Sequence, residues 1–362
     1  METDQTAWFD HLASMGIHVG YPDVYAPAGD TPNAPAKYPA EASDTAFLTD
    51  RTLDDLRARA PGWCAMVTYL RPHSPLNAPV PYNRMYDPAT LPDALTSPEG
   101  THAFETVAQA NGRIARAVVG FPDLAPTQDN VRLLRSLYFG LATEVDLHVG
   151  RLLDWLRDSG TFDDTIIVIT SDHGEMLGDY GMWGKTSYHD AAFHVPLILR
   201  TPGGGRGVTV DQPTESVDLM PTLLDLAGVA VPPSVDGHSL VPFFQGDRVD
   251  GWREASFSEL DFANPIKPTK FEVDLGLGVD AANLAVLRHG AHRLVQFADA
   301  LPPRLFDMSI AAESVDLAND PAMMPILLDL SRRMLCHRMQ NAEGTFSRTM
   351  ITPDGPVTAG RG

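Results

Sequence analysis

An aspartate and a histidine, Asp172 and His173, follow a run of β-branched residues at 165–170 (TIIVIT) after a single serine. A run of β-branched and apolar residues without polar alternation predicts a strand buried on both faces, as in the middle of a parallel sheet. In open α/β sheets, ligand and catalytic groups lie beyond the carboxyl ends of the strands. Gly174 allows a sharp turn, so that the Asp172 carboxylate and the His173 imidazole can face one ion. We therefore predict that both are metal ligands, in half of a metal-dependent esterase site.

A lysine, Lys185, follows a short loop later. Its ammonium group suits an anionic oxygen of a sulfate, phosphate or phosphonate ester. The alternative is structural: Asp172 caps a turn, His173 packs against the sheet, and Lys185 is a solvated surface residue. An isolated Asp-His pair favours this alternative, so the decision rests on the surrounding sequence.

The surrounding sequence, from about Glu41 to Asp320, resembles the sulfatase branch of the alkaline phosphatase superfamily, and within it most of all the phosphonate monoester hydrolases and arylsulfatases. The matching stretches follow the family's order and are residues 69–75 (YLRPHSP), 164–179 (DTIIVITSDHGEMLGD), 184–185 (GK), 195–198 (VPLI), 216–228 (SVDLMPTLLDLAG), 236–240 (DGHSL) and 305–308 (LFDM). The resemblance implies an α/β fold with an alkaline-phosphatase-like mixed sheet flanked by helices, here N-terminally incomplete, and a smaller C-terminal α+β subdomain. It divides the chain into residues 1–250, a partial sulfatase-type catalytic core, and residues 251–362, the C-terminal subdomain and tail.

His73 is the next candidate, because its Pro-His-Ser-Pro segment follows a second predicted buried strand at residues 63–69. In the enzymes that the chain resembles, a histidine of this segment stabilises or protonates the departing oxygen. An imidazole suits that role because its pKa lies near neutrality. His73 and Lys185 are therefore the candidate catalytic residues. The alternative for His73 is a loop histidine held by backbone hydrogen bonds, between prolines that only stiffen the chain.

The family's nucleophile motif is absent from this sequence. In the resembling enzymes the nucleophile is a formylglycine made from the first residue of a Cys/Ser-x-Pro-x-Arg motif, which lies upstream beside acidic metal ligands. The two cysteines here, Cys64 and Cys336, lack the required proline and arginine. We therefore expect an amino-terminally truncated chain without the formylglycine segment, and leave open whether it is itself an enzyme.

The resemblance implies one divalent metal ion, with His73 near the leaving group and Lys185 near the charged oxygens. An imidazole ligand favours manganese or zinc, whereas calcium prefers oxygen ligands. The predicted function is hydrolysis of sulfate or phosphonate/phosphate esters. We expect this activity to be absent or impaired in the present chain. Two alternatives stay open: a two-metal phosphodiesterase of the same superfamily, and a degenerate, non-catalytic homologue that binds an anion or packs as a subunit.

The composition limits the partners. A formal net charge of −20 argues against nucleic acid and against an anionic membrane surface. A small anionic ester therefore needs a local reversal of potential, which a metal ion and Lys185 can provide. No apolar run approaches membrane-spanning length, and no secretion signal is recognisable, so we predict a cytoplasmic protein.

The remaining pattern predicts the elements that position these residues. The first forty residues, rich in Pro, Gly and Ala, predict an irregular surface stretch. Apolar periodicity and capping residues predict helices at 44–59, 129–159 and 321–339. Apolar runs predict strands at 284–288 and 292–297. The tail from Asn341 lacks an apolar period, which predicts either an arm that contacts another subunit, giving a homo-oligomer through the C-terminal region, or a loose end.

Three further polar residues are assigned from their neighbours. Glu144 and His148 share one face of the helix at 129–159, and a solvated face explains them better than a ligand pair. His189 is a candidate to face the pocket. A separate zinc site built from His189 and His194 would lack a third ligand at a standard spacing.

Overall fold

The computed structural model describes residues 6–97, 101–246, 248–298, 301–311, 313–341 and 349–358. Helices and sheets are both present, so the fold is of the predicted α/β class. The chain packs as two compact units, Met1–Pro202 and Gly203–Gly362. The division into a catalytic core and a C-terminal subdomain at residue 250 stays a prediction.

The first unit carries the candidate site residues. Its helices and strands, in chain order, are α1 (Thr6–Ser14), α2 (Asp44–Ala58), α3 (Ala103–Asn111), α4 (Gln128–Asp158), β1 (Ile167–Thr170), α5 (Asp190–Phe193) and β2 (Leu197–Arg200). Strands β1 and β2 pair antiparallel, with Ile167 opposite Arg200 and Thr170 opposite Leu197. The predicted strand before Asp172 is therefore confirmed. Its burial on both faces is wrong, because β1 is only half-buried and pairs, among the described residues, on one edge alone.

Two helices of the first unit, α2 and α4, pack against each other as one layer. Ser43 begins α2 by accepting a hydrogen bond from the Ala46 amide at 3.0 Å, as its residue type predicts. The predicted helix at 129–159 is α4, which Thr127 caps and which packs against α2. Its apolar residues at three- and four-residue steps enter one core cluster: Val131, Leu134, Leu137 and Leu141 pack with Leu76, Ala78, Tyr82, Ile114, Ala117 and Val118.

The prediction of an irregular start to the chain is wrong for residues 6–14, which form α1. Trp8 and Leu12 lie one turn apart on this helix and are both buried. The Trp8 indole donates a hydrogen bond to the Ala42 carbonyl at 2.9 Å. Burial of these two side chains accounts for the helix. The neighbouring Pro and Gly residues made an irregular stretch the expected structure.

The second unit contains α6 (Leu219–Leu226), β3 (Ala255–Asp261), α7 (Lys270–Leu275), β4 (Asn283–His289), β5 (His292–Phe297), β6 (Arg304–Asp307), α8 (Met308–Ala311), α9 (Met324–Asn341), β7 (Thr349–Thr352) and β8 (Gly355–Thr358). Strands β3 to β6 form one antiparallel sheet in chain order, and α9 packs on it through Leu330 and Met334. The strands and the helix predicted here are confirmed. Of the predicted C-terminal arm, β7 and β8 form a hairpin, and residues 342–348 and 359–362 lie outside the described residues.

The prediction that Glu144 and His148 lie on a solvated helix face is wrong, because both are buried. This face of α4 packs against α2, where Arg151 links His148 to Asp50 through hydrogen bonds of 3.2 and 2.6 Å. Neither Glu144 carboxylate oxygen has a hydrogen-bond partner among the described residues. Burial therefore raises the pKa of Glu144 to about 7, so the carboxyl group is neutral in mildly acidic solution.

We expect the Glu144→Gln variant to gain stability over the wild-type chain as the pH rises. The folded-state pKa of about 7 lies above the ordinary value of 4.5, so the stability that the neutral carboxyl contributes is present below 4.5 and lost as the pH rises through 7. Urea unfolding at about pH 5 and about pH 8 should show the advantage of the variant growing by about 2 kcal/mol. The matched control is Asp146→Asn, at an exposed position of the same helix. An advantage of Glu144→Gln that is the same at both pH values would contradict the assignment.

Candidate active site

The turn after β1 holds Asp172 and His173 against α5. The Ser171 hydroxyl donates to the His173 carbonyl at 2.8 Å, and the His173 amide donates to the Asp172 carboxylate at 3.0 Å. The Gly174 amide donates to the Ala192 carbonyl at 2.9 Å. A Cβ atom at position 174 would lie 1.9 Å from the Ala191 carbonyl oxygen. Only glycine therefore allows the backbone to approach α5 this closely.

The Asp172 and His173 side chains fit one metal ion. His173 Nδ1 donates to the Gly174 carbonyl at 2.7 Å, which leaves Nε2 as the nitrogen with a free lone pair. That Nε2 lies 3.6 Å from an Asp172 carboxylate oxygen. Two ligands that each bind an ion at about 2.1 Å lie roughly 3 to 3.5 Å apart, so small side-chain adjustments bring both onto one ion. The carbonyl that fixes the imidazole is the outer-shell partner that metal-binding histidines commonly have.

These two residues would supply only two ligands to an ion. In the described part of the chain, no group of three or more His, Cys, Asp or Glu side chains is arranged to hold an ion. The Asp172 side chain is 87% exposed and the His173 side chain 25% exposed, so both are open to further ligands.

His73, which belongs to a different segment of the chain, lies beside His173. Its Nδ1 donates to the Ser74 carbonyl at 2.5 Å, and its Nε2 lies 3.1 Å from the Lys185 ammonium nitrogen. The centres of the His73 and His173 rings are 5.9 Å apart. The structure therefore brings together all four predicted site residues, which are separated by up to 112 positions in the sequence.

Two local hydrogen bonds place Lys185. The Glu175 carboxylate accepts from the Gly184 amide, and the Met176 amide donates to the Gly184 carbonyl at 3.0 Å. They close the loop between the Asp172 turn and Lys185. Lys185 itself is exposed, so its ammonium group is available to an anion in solution.

A buried arginine, Arg71, holds the His73 segment and was missed by the sequence analysis. Its guanidinium donates to the Pro75 carbonyl at 2.7 Å and to the His73 carbonyl at 3.4 Å. It also lies 3.4 Å from the Asp44 carboxylate, at the start of α2. The guanidinium therefore ties the loop that carries His73 to the helix layer. The only signal in the sequence is that Arg71 stands two residues before His73.

The prediction that His189 faces the pocket is wrong. His189 is buried, and its ring stacks between Tyr180 and Tyr188 at centroid distances of 4.2 and 4.4 Å. Its Nδ1 lies 2.6 Å from the Ser187 hydroxyl. His194 is exposed at the end of α5. His189 is therefore part of the packing beneath the site.

The first unit thus carries carboxylate, imidazole and ammonium groups together beyond the end of a strand. The family model described as Sulfatase matches residues 4–229. The multifunctional alkaline phosphatase superfamily protein PehA of Trinickia caryophylli is 31% identical over 99% of this chain and 73% of its own length. An arylsulfatase of Clostridium perfringens is 29% identical over 72% of this chain and 53% of its own length.

Solved structures show the same relationship. The phosphonate monoester hydrolase of Silicibacter pomeroyi matches with a TM-score of 0.93 and 47% identity, over 98% of this chain and 72% of that chain. The phosphonate monoester hydrolase of Agrobacterium radiobacter matches with a TM-score of 0.86 and 34% identity, over 99% of this chain and 74% of that chain. The chain belongs to the sulfatase family, within the alkaline phosphatase superfamily, and the predicted fold is confirmed. Within the described residues, no helix is long and apolar enough to span a membrane.

We expect Gly174→Ala to destabilise the protein and to weaken metal binding at Asp172 and His173. The added Cβ would overlap the Ala191 carbonyl, so the turn has to move away from α5. The free energy of unfolding should fall by about 2 kcal/mol or more, measured by urea denaturation. The control is Gly150→Ala inside α4, where an added Cβ meets nothing within 4 Å. That substitution should raise stability by about 0.5–1 kcal/mol, and equal effects of the two would contradict the close approach.

Proposed function

We propose that this protein acts on small anionic esters, phosphonate monoesters or sulfate esters, with a divalent metal ion held by Asp172 and His173. The observation that carries the proposal is the convergence of Asp172, His173, His73 and Lys185 from three separate segments. The likeness to two phosphonate monoester hydrolases over nearly the whole chain supports the same substrate class.

The hydrogen bond between Lys185 and His73 suggests how the two residues act together. The lysine ammonium donates to the lone pair on His73 Nε2, because Nδ1 is already the donor to Ser74. An anionic substrate draws the ammonium group onto its own oxygens. His73 Nε2 is then free to take up a proton and to hand it to the departing oxygen. Substrate binding would thereby prepare the acid.

A bound divalent ion supplies positive charge that polarises the ester group. The mixed oxygen and nitrogen donors of Asp172 and His173 favour manganese or zinc and disfavour calcium. Lys185 adds positive charge at the same point of a protein whose formal net charge is −20. Such a local reversal of potential is what an anionic ester requires.

We further propose that the 362 residues turn over substrate poorly by themselves. They contain no Cys/Ser-x-Pro-x-Arg motif, and hence no formylglycine precursor of the kind found in the resembling enzymes. The positioned groups nevertheless suffice to bind a metal ion and an anion. The cytoplasmic location and the oligomer contact through the C-terminal region stay predictions.

Metal binding is tested by calorimetric titration with manganese and zinc. We expect binding that Asp172→Asn and His173→Gln each weaken by about tenfold or more, because each removes one direct ligand. The controls are His194→Gln and Asp146→Asn, at exposed positions where no ligand role is proposed. An equal loss in the control variants, or none in the site variants, would contradict the assignment of the metal ligands.

Substrate class is tested with an aryl phosphonate monoester, an aryl sulfate and an aryl phosphate diester in the presence of manganese. We expect the phosphonate monoester or the sulfate to bind, slow turnover, and affinity about tenfold weaker in Lys185→Gln. The control is Lys267→Gln, at an exposed lysine of the second unit.

Three results would change the proposal. Binding without any turnover would indicate a non-catalytic homologue. A preference for the diester would indicate the phosphodiesterase alternative. Rapid turnover by this chain would contradict the role given to the missing motif.

A further inference from the structure

The loop that leads from the Asp172 turn to Lys185 contains two non-glycine residues with a left-handed backbone conformation. Leu177 has a φ of 49° and Tyr180 a φ of 55°. This conformation is unfavourable for residues with a Cβ atom, and it persists where the surrounding structure fixes the backbone. We call residues 176–184 the lysine loop, because Lys185 follows them directly. The contacts that hold the lysine loop therefore determine where Lys185 lies.

Part of the lysine loop is held by hydrogen bonds to its backbone and to one carboxylate. The Arg135 guanidinium of α4 donates to the Leu177 carbonyl at 3.0 Å and to the Asp179 carboxylate at 2.7 Å. The Tyr180 amide donates to the Leu95 carbonyl at 2.7 Å. These bonds fix the loop to its neighbours, but none of them reaches α5 or the turn before Gly174.

The Tyr180 side chain connects the lysine loop to the start of α5. Its ring stacks on the His189 ring, with centres 4.2 Å apart and planes inclined by 20°. The Tyr188 ring stacks on the same imidazole at 4.4 Å. All three side chains are buried, so the close packing of the interior restricts their movement. The Ser187 hydroxyl lies 2.6 Å from His189 Nδ1 and fixes the rotation of the imidazole.

His189 also begins the helix on which the Asp172 turn lies. Its carbonyl accepts a hydrogen bond from the Ala192 amide at 2.9 Å. The Ala192 carbonyl in turn accepts from the Gly174 amide at 2.9 Å, and Gly174 directly follows His173. A displacement of His189 would therefore be passed through α5 to the turn that carries the two candidate metal ligands.

We propose that His189 is a positioning residue, which sets the lysine loop and the Asp172 turn at a fixed separation. Its imidazole holds Tyr180 of the lysine loop, while its backbone begins α5, which supports the turn. It acts through these two segments and not by contact with an ion or a substrate. The inference rests on the proposed function, because it takes the two segments as two sides of one active site.

Two substitutions separate the ring stack from the hydrogen bond of His189. His189→Phe keeps an aromatic ring between the two tyrosines and loses the contact with the Ser187 hydroxyl. His189→Asn keeps a polar group beside that hydroxyl and loses the ring. Because the ring stack joins the lysine loop to α5, we expect His189→Phe to preserve the site and His189→Asn to loosen it.

Amide hydrogen exchange of the metal-free chain reports local opening. In His189→Asn, the amides of Gly174 and Gly178 should exchange at least about fivefold faster, relative to those of α4, than in the wild-type chain. The first bonds to α5 and the second closes the lysine loop through the Met182 carbonyl at 2.8 Å. In His189→Phe both rates should stay within about twofold of the wild-type values. Manganese affinity should fall by about tenfold in His189→Asn and be retained in His189→Phe.

The matched control is Leu12→Ala, at a buried position of α1. Leu12 packs in a separate core cluster with Trp8, Val24 and Tyr38. Its truncation should lower the stability of the chain, because it leaves a cavity, without a selective effect on the Gly174 and Gly178 amides.

Three results would overturn the inference. The first is a His189→Asn variant with unchanged exchange, or with unchanged affinity where the wild-type chain binds manganese. The second is a His189→Phe variant as loose as His189→Asn. The third is the same selective acceleration in Leu12→Ala, which would indicate general destabilisation. Failure of the wild-type chain to bind manganese would instead refute the proposed function, and the exchange rates would still decide whether His189 positions the two segments.

Discussion

Two hydrogen bonds of the same type organise the candidate site. His73 and His173 each donate from Nδ1 to the carbonyl of the following residue, at 2.5 and 2.7 Å. Each bond fixes the tautomer and turns the opposite nitrogen, Nε2, towards solvent and towards its neighbours. Lys185 approaches one of these nitrogens and Asp172 the other. Without this anchoring the imidazoles could not take the proposed roles of proton donor and metal ligand in one place.

The positions of His73 and His173 also depend on other residues to which no catalytic role is given. Arg71 holds the backbone around His73, and its guanidinium is buried beside Asp44. Gly174 lets the Asp172 turn lie directly on α5. Glu144, nearby on α4, is buried, and this burial raises its pKa. Burial of these polar groups has a cost in free energy, which the exposed side chains of the site do not bear.

The sequence predicts the elements that depend on local pattern and the residues at strand ends. The apolar run before Asp172, the periodicity of α4 and the strands at 283–297 all appear where expected. Burial of polar residues could not be predicted, because periodicity shows that Glu144 and His148 share a face but not that α2 covers it. His189 was misassigned for a similar reason. Its neighbours Tyr180 and Tyr188 enclose it, and Tyr180 lies in a different loop. The buried strand predicted at residues 63–69 is wrong, because these residues form no strand and Met66 is 91% exposed.

The central claim is that His73 and His173 face one ion-binding position, and isotope-labelled histidine side chains allow it to be tested directly. Manganese, added below an equimolar amount, broadens the resonances of nearby nuclei. The side-chain signals of His73 and His173 should broaden together, because their rings lie 5.9 Å apart. Broadening of His173 while His73 stays sharp, or no broadening of either at an equimolar amount, would contradict the account.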